Sequence, residues 1–178
     1  MKRLRLRAGW LIVIPFLLWS TPSAVVVFVG VVFVACGLVV RGWSAGTIRK
    51  DEELATSGPY SFTRNPLYVG SFLIGMGVAI AGGQWIWPLA FLSFYGAVYP
   101  SAMLAEAQRL SQLFPHHYAV YARAVPGFIP RLTPYRSSEV AAGPAGFRWS
   151  QFRRNREWEA SLGALAVFGL LAAKVVWL

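Results

Sequence analysis

The stretch Ala24-Val25-Val26-Val27-Phe28-Val29-Gly30-Val31-Val32-Phe33-Val34-Ala35-Cys36-Gly37-Leu38-Val39-Val40 holds no charge and no polar stripe. The charge-free run around it begins at Ala8, and a second extends from Asn65 to Ala105. One membrane-crossing helix takes roughly 20 apolar residues, so each run is too long for one crossing and suits two. Each is broken near its middle by turn formers: Ser20-Thr21-Pro22-Ser23 in the first, Gly82-Gly83-Gln84 in the second. A further uncharged stretch, Ala160 to Ala173, continues through Lys174 to Leu178. The fold class is therefore all-α, a polytopic membrane helix bundle of about five transmembrane helices by the length a bilayer demands. They are placed near Gly9–Trp19, Ala24–Val40, Pro66–Ala81, Trp85–Leu104 and Ala160–Trp177. Residues 1–178 are read as one membrane domain.

A soluble protein with a large core fits poorly. Charged residues make up 13% of the chain, against about 25% in soluble domains, and the helices are apolar on all sides. Met1 to Ala24 has the outline of a secretory signal, but Pro22 stands where a small residue is wanted before cleavage. A retained first helix is expected, short enough to need help from its flanks or a thinned bilayer.

The net charge of +10 raises a nucleic-acid partner, and its distribution removes it. With the N-terminus inside and the helices alternating, sixteen of the seventeen Lys and Arg residues fall on the cytoplasmic side and only Lys174 outside. That is the positive-inside pattern of a bacterial-type inner or cell membrane, with the basic groups meeting lipid headgroups. The lone Cys36 excludes a disulfide framework.

The outer loops are only a few residues long, so the chemistry is expected in the cytoplasmic segments 41–65 and 105–159. Arg49 to Leu54 reads as a short surface helix, with Arg49 outside any site. Glu106 to Tyr121 reads as an interfacial amphipathic helix continuing from the fourth span. Pro126, Pro130 and Pro134 then forbid regular helix. Trp149 and Trp158 flank the basic run Arg153-Arg154-Asn155-Arg156 as an interfacial belt.

Two stretches carry candidate chemistry. In Gly58-Pro59-Tyr60-Ser61-Phe62-Thr63-Arg64-Asn65-Pro66-Leu67-Tyr68-Val69-Gly70, Asn65 suits an N-cap and Pro66 the first helical position. The third span would then begin with free backbone donors and a positive dipole end, ready for an anion. Arg64 beside it can fork onto a carboxylate or phosphate. Gly70, Gly75 and Gly77 would leave room for a ligand or another helix, and bulky groups at Gly75 or Gly77 are expected to obstruct an acceptor entering sideways from the bilayer. In the second stretch, Glu106 is an ionisable group at the inner end of an uncharged span, a functional candidate by default. It could face Arg64 across one pocket. Adjacent His116 and His117 point about 100° apart on a helix, so no metal site is expected.

The first stretch resembles the signature of the isoprenylcysteine carboxyl methyltransferase and phospholipid methyltransferase superfamily, Gly-x-Tyr followed by Arg-His/Asn-Pro-x-Tyr-x-Gly. Gly58, Tyr60, Arg64, Asn65, Pro66, Tyr68 and Gly70 match it. Glu106, Leu110, Phe114, Tyr118 and Tyr121 are similar to the block that closes the family's pattern, with Ala107 and Pro115 departing from it. The resemblance covers about Arg41 to Pro130. It implies S-adenosylmethionine as cofactor, with Arg64 and Glu106 as catalytic residues. Tyr60, Arg64, Asn65, Pro66, Tyr68, Gly70, Glu106, Tyr118 and Tyr121 would bind the cofactor. Arg64 would take its carboxylate, Glu106 its ammonium or ribose, and the tyrosines its sulfonium or adenine. The acceptor would be a lipophilic, membrane-dissolved compound: a phospholipid amine or an isoprenoid-type carboxylate or thiol.

Two other functions stay open at this point. One is an NADPH-dependent reductase of the sterol type, and the other a non-catalytic membrane protein for binding or transport. Oligomeric state is not readable, since Gly30 and Gly37 could pack within one bundle or between chains.

Overall fold

A computed structural model describes residues 13–49, 53–136, 146–156 and 158–177. Residues 13–19 form the described part of α1; residues 9–12, expected to belong to it, lie outside the described residues. After the turn at Pro22, α2 spans Ala24–Thr47, and a single 3₁₀ turn, Gly58–Ser61, opens the motif segment. Then follow α3 (Pro66–Ala81), α4 (Ile86–Leu113), α5 (Pro115–Ala124), α6 (Trp149–Arg154) and α7 (Trp158–Trp177). No strand occurs among the described residues. Helices α2, α4 and α7 are each long and apolar enough to cross a membrane, and α3 is a shorter apolar helix. The chain is a membrane helix bundle.

Helices α2 and α3 cross closely because four glycines let them. A Cβ on Gly30 would lie 2.5 Å from the Gly77 carbonyl oxygen, and one on Gly37 would lie 2.7 Å from that of Gly70. Both pairs repeat every seven residues, so one face of each helix is stripped of side chains and the backbones meet. Small residues serve membrane helices in this way because lipid leaves no hydrophobic force to bring them together. Gly30 and Gly37 therefore pack within the chain. Gly75 receives the ring of Phe91 from α4. The space expected beside Gly75 and Gly77 is filled by protein, which corrects the reading of these glycines as room for an acceptor.

The turns and tails sort to two ends. The Thr21 N–H donates to the Gly82 carbonyl at 3.0 Å, joining the α1–α2 and α3–α4 turns. Lys174 near the end of α7 donates to the Ser20 carbonyl at 3.0 Å and to its hydroxyl at 3.1 Å. Phe16, Ala79, Ala81, Trp87 and Leu171 form a buried apolar cluster at the same end. Every other described Lys or Arg lies in segments at the opposite end. Reporters fused after Arg64 and at the C-terminus are accordingly expected on opposite sides of the membrane, the Arg64 side cytoplasmic by the positive-inside rule. Signals from the same side would overturn this arrangement.

Helix α2 outruns its expected end. The sequence reading stops the second span at Val40, but α2 continues to Thr47, carrying Arg41 inside the helix. No Pro intervenes, and the hydroxyls of Ser44 and Thr47 donate back to the carbonyls of Val40 at 2.6 Å and Trp43 at 2.9 Å. Helix α4 runs on past the expected span end at Leu104, as the helix read from Glu106 requires, and ends at Leu113. At 28 residues it is about 42 Å long, against a hydrocarbon core of about 30 Å, so its last turns overhang. The continuous helix expected from Glu106 to Tyr121 is broken at Phe114 (φ −133°, ψ 61°). Pro115 disfavours the helical region for the residue before it and then starts α5. Of the surface helix expected over Arg49–Leu54, residues 50–52 lie outside the described residues, and Glu53 and Leu54 are not helical.

Candidate functional site

The overhang of α4, the extension of α2 and the start of α3 enclose a cavity of about 350 Å³, within the range of small-molecule sites, about 300–1,000 Å³. Of the residues singled out from sequence, Tyr60, Arg64, Asn65, Pro66, Tyr68, Glu106 and Tyr121 line it. Arg64 and Glu106 do share one pocket. Glu106 has no hydrogen bond or ion pair among the described residues.

Arg64 is held from several sides. Its backbone N–H donates to the Pro126 carbonyl at 2.9 Å. Its Nη1 donates to the Tyr118 hydroxyl at 3.1 Å, with the guanidinium carbon 6.0 Å from the Tyr118 ring centre. Nε is buried and meets no acceptor among the described residues. A buried N–H of a charged group left unpaired is costly.

Three sequence expectations change. Asn65 stands at the N-cap but its side chain makes no capping bond; its Nδ2 instead donates to the Gly127 carbonyl at 2.8 Å. The backbone N–H groups of Arg64 and Asn65 are engaged by Pro126 and, at 3.4 Å, by the Thr63 hydroxyl. Of the first-turn positions, Pro66 has no N–H and that of Tyr68 bonds the Asn65 carbonyl at 3.0 Å. Gly70 does not line the cavity: it faces the Gly37 carbonyl and the Arg41 side chain, which passes over it. Tyr118 is likewise outside the lining, touching the site through Arg64.

Tyr121 is a clamp. It is 1% exposed, and its hydroxyl donates to the Tyr60 carbonyl at 2.7 Å. It packs in a buried cluster with Leu54, Tyr118 and Val125. Burial, opposed by nearby Arg64, pushes its phenol well above the ordinary tyrosine range. A folded pKa above the unfolded value of about 10 means stability is complete below that pH and lost as pH rises past it. Tyr121→Phe is expected to cost about 1–3 kcal/mol by stranding the Tyr60 carbonyl and to flatten the alkaline limb of a melting-temperature profile. An unchanged limb would remove the clamp.

Residues that sequence reasoning did not place here are Arg41, Arg49, Glu53, Ser71 and Arg109. Arg41 Nη1 donates to the Ser71 hydroxyl and, at 3.4 Å, to the Leu67 carbonyl. The signal was its position four residues beyond Gly37 on the same helical face, legible only once α2 is carried past the charge. Arg49 pairs with Glu53 at 3.4 Å on the cavity wall, so it is part of the site and not a bystander. His116 and His117 lie edge to face with ring centres 5.9 Å apart, off the cavity. Among the described residues no three His, Cys, Asp or Glu could hold a metal ion together.

Comparison with known proteins matches residues 21–117, more than half of the chain, to the phospholipid methyltransferase family. The nickel-cobalt-cadmium resistance protein NccN of Alcaligenes xylosoxydans xylosoxydans is 37% identical over 137 residues, 75% of this chain and 61% of that protein. The cobalt-zinc-cadmium resistance protein CzcN of Cupriavidus metallidurans is 36% identical over 126 residues, 68% of this chain and 56% of that protein. The protein-S-isoprenylcysteine O-methyltransferase of Schizosaccharomyces pombe is 31% identical over 81 residues, 46% of this chain and 34% of that protein. The matched stretches thus span well under two thirds of each relative's length. No solved structure matches the chain. The family match runs through α2, the Arg64 motif and the overhang bearing Glu106, the three walls of the cavity, and the chain belongs to the phospholipid methyltransferase family.

Proposed function

We propose that the chain is an S-adenosylmethionine-dependent methyltransferase acting at the cytoplasmic face on a lipophilic acceptor dissolved in the membrane. The observation that carries this reading is the placing of Arg64, whose buried Nε meets no acceptor among the described residues, on the wall of the same cavity as Glu106. A zwitterionic amino-acid group needs that pairing: a fixed cation for its carboxylate and a fixed anion for its ammonium. When bound, the cofactor supplies a methyl group on a positively charged sulfur.

In this reading Arg64 binds the carboxylate, with Tyr118 holding the guanidinium in place. Glu106 takes the ammonium or the ribose. Tyr60 and Tyr68 present ring surface to the sulfonium or adenine, and Asn65 and Pro66 form the adjoining wall. Tyr121 acts by fixing Tyr60, and Gly70 by leaving a path for Arg41. Methyl transfer is an in-line displacement, so most of what the residues contribute is position and alignment. The acceptor is a phospholipid amine or an isoprenoid-type carboxylate or thiol. Two relatives are named for heavy-metal resistance; a resistance role in this chain would be exercised by methylating a membrane component.

Equilibrium binding of S-adenosylmethionine and of NADPH to the detergent-solubilised chain tests the reading. Binding of the first alone is expected, followed by transfer of labelled methyl to an extractable lipid. NADPH binding would favour a sterol-type reductase, and binding of neither would leave a non-catalytic membrane protein.

A further inference from the structure

Residues 125–136 follow α5 without regular structure, yet they reach past the level of the helix ends. The Phe128 ring lies 5.8 Å from that of Phe72 and 5.9 Å from that of Tyr95. Phe72 is about 9 Å along α3 from its first residue at 1.5 Å per residue, and Tyr95 sits about 27 Å back from the overhanging end of α4. Phe128 is therefore packed on side chains inside the spanning part of two apolar helices. The next apolar residues turn outward: Ile129 is 78% exposed and Leu132 99%.

Irregular backbone at membrane depth is tolerated only where its polar groups are satisfied by protein. Here the motif segment satisfies several of them. The carbonyls of Pro126, Gly127 and Phe128 accept from the Arg64 N–H, the Asn65 amide and, at 3.1 Å, the Thr63 hydroxyl. The Arg131 N–H donates to the Phe62 carbonyl at 2.9 Å. Pro126 and Pro130 have no N–H to satisfy. The Arg131 guanidinium folds back on the Ala124 carbonyl at 3.0 Å, keeping its charge away from the apolar tip, while Arg123 and Arg136 stand exposed on either side.

We propose that residues 126–132 are a re-entrant loop whose Ile129 and Leu132 side chains sit among the acyl chains just below the headgroups. Thr63 and Asn65 supply the hydrogen bonds that let its backbone lie there. This assigns Asn65 a task distinct from cofactor binding, and it rests on the membrane bundle, independently of the methyl-transfer reading.

The test uses the full chain with Cys36→Ala and single substitutions Ile129→Cys, Leu132→Cys or Arg123→Cys, each labelled with an environment-sensitive fluorophore in lipid nanodiscs. At 129 and 132 the emission is expected to be blue-shifted and quenched several-fold more by acyl-chain nitroxide lipids than at 123, with the order reversed for aqueous iodide. Iodide quenching at 129 and 132 equal to that at 123 would overturn the proposal, as would protection that persists in detergent-free oligomers without nitroxide quenching, which would mark a protein partner instead. Asn65→Asp, nearly isosteric but lacking the N–H donor, is expected to raise iodide access at 129 severalfold. Unchanged access would overturn the role given to Asn65.

Discussion

Arg64→Ala is expected to weaken S-adenosylmethionine binding by about 2–4 kcal/mol, between roughly thirtyfold and a thousandfold, because it leaves a partly buried carboxylate without its charged partner. Calorimetric titration of the purified chain in nanodiscs measures this directly. The comparison must be with a cation that shares the surface but not the cavity. Arg49 does not qualify, since it lines the cavity paired with Glu53. Arg123 does: it is exposed on α5 and outside the lining. Arg123→Ala should leave affinity within about twofold, the span expected of an exposed charge. Equal losses from the two substitutions would reduce Arg64 to one member of a diffuse positive surface.

Gly77→Leu is expected to be the most damaging change to the fold. Its Cβ alone would come within 2.6 Å of the Gly30 carbonyl oxygen and 2.9 Å of Phe33 and Val34. The Gly30 carbonyl and the Phe33 Cβ are fixed to the α2 backbone, so α2 and α3 must part, and overpacking of this kind typically costs about 1–3 kcal/mol or more. Folded yield and melting temperature should fall, with cofactor affinity and turnover dropping together. Gly169→Leu on α7 is the matched control, since nothing lies within 4 Å of a Cβ there. A Gly77→Leu protein that melts like its parent would show that the crossing is looser than drawn here.

The helical segments were legible because lipid forbids unpaired charge, and Ala8–Val40 and Asn65–Ala105 obey that rule without exception. The same rule misled at their edges. Charge marks where a helix leaves the hydrocarbon, not where it stops being a helix, so the sequence reading leaves Arg41 in a loop although it stands on a helical wall of the cavity. Arg64, Tyr68 and Glu106 were legible as a set because residue type and position beside a helix end narrow their chemistry. The roles of Asn65, Gly70 and Gly77 were not. An amide shows nothing in sequence of which carbonyl it will meet, and a glycine marks a close approach without saying what approaches. Gly127, Gly37 and Gly30 answered those questions only in three dimensions.

The apolar knot around Trp87 and Leu171, tied by Lys174 and Thr21, has a mechanical meaning. The five apolar helices are anchored there, far from the cavity, and α4 is held against α3 as far as Tyr99, by the Tyr68–Tyr99 ring contact and the Tyr95 hydroxyl on the Tyr68 carbonyl. Beyond Tyr99 its last turns are a lever. From Tyr99 to Leu113 is about 21 Å at 1.5 Å per residue, so a bend of about 8° swings the tip by about 3 Å. Glu106 rides on that arm and Arg64 does not. The angle of the arm bears directly on the distance between the two charges.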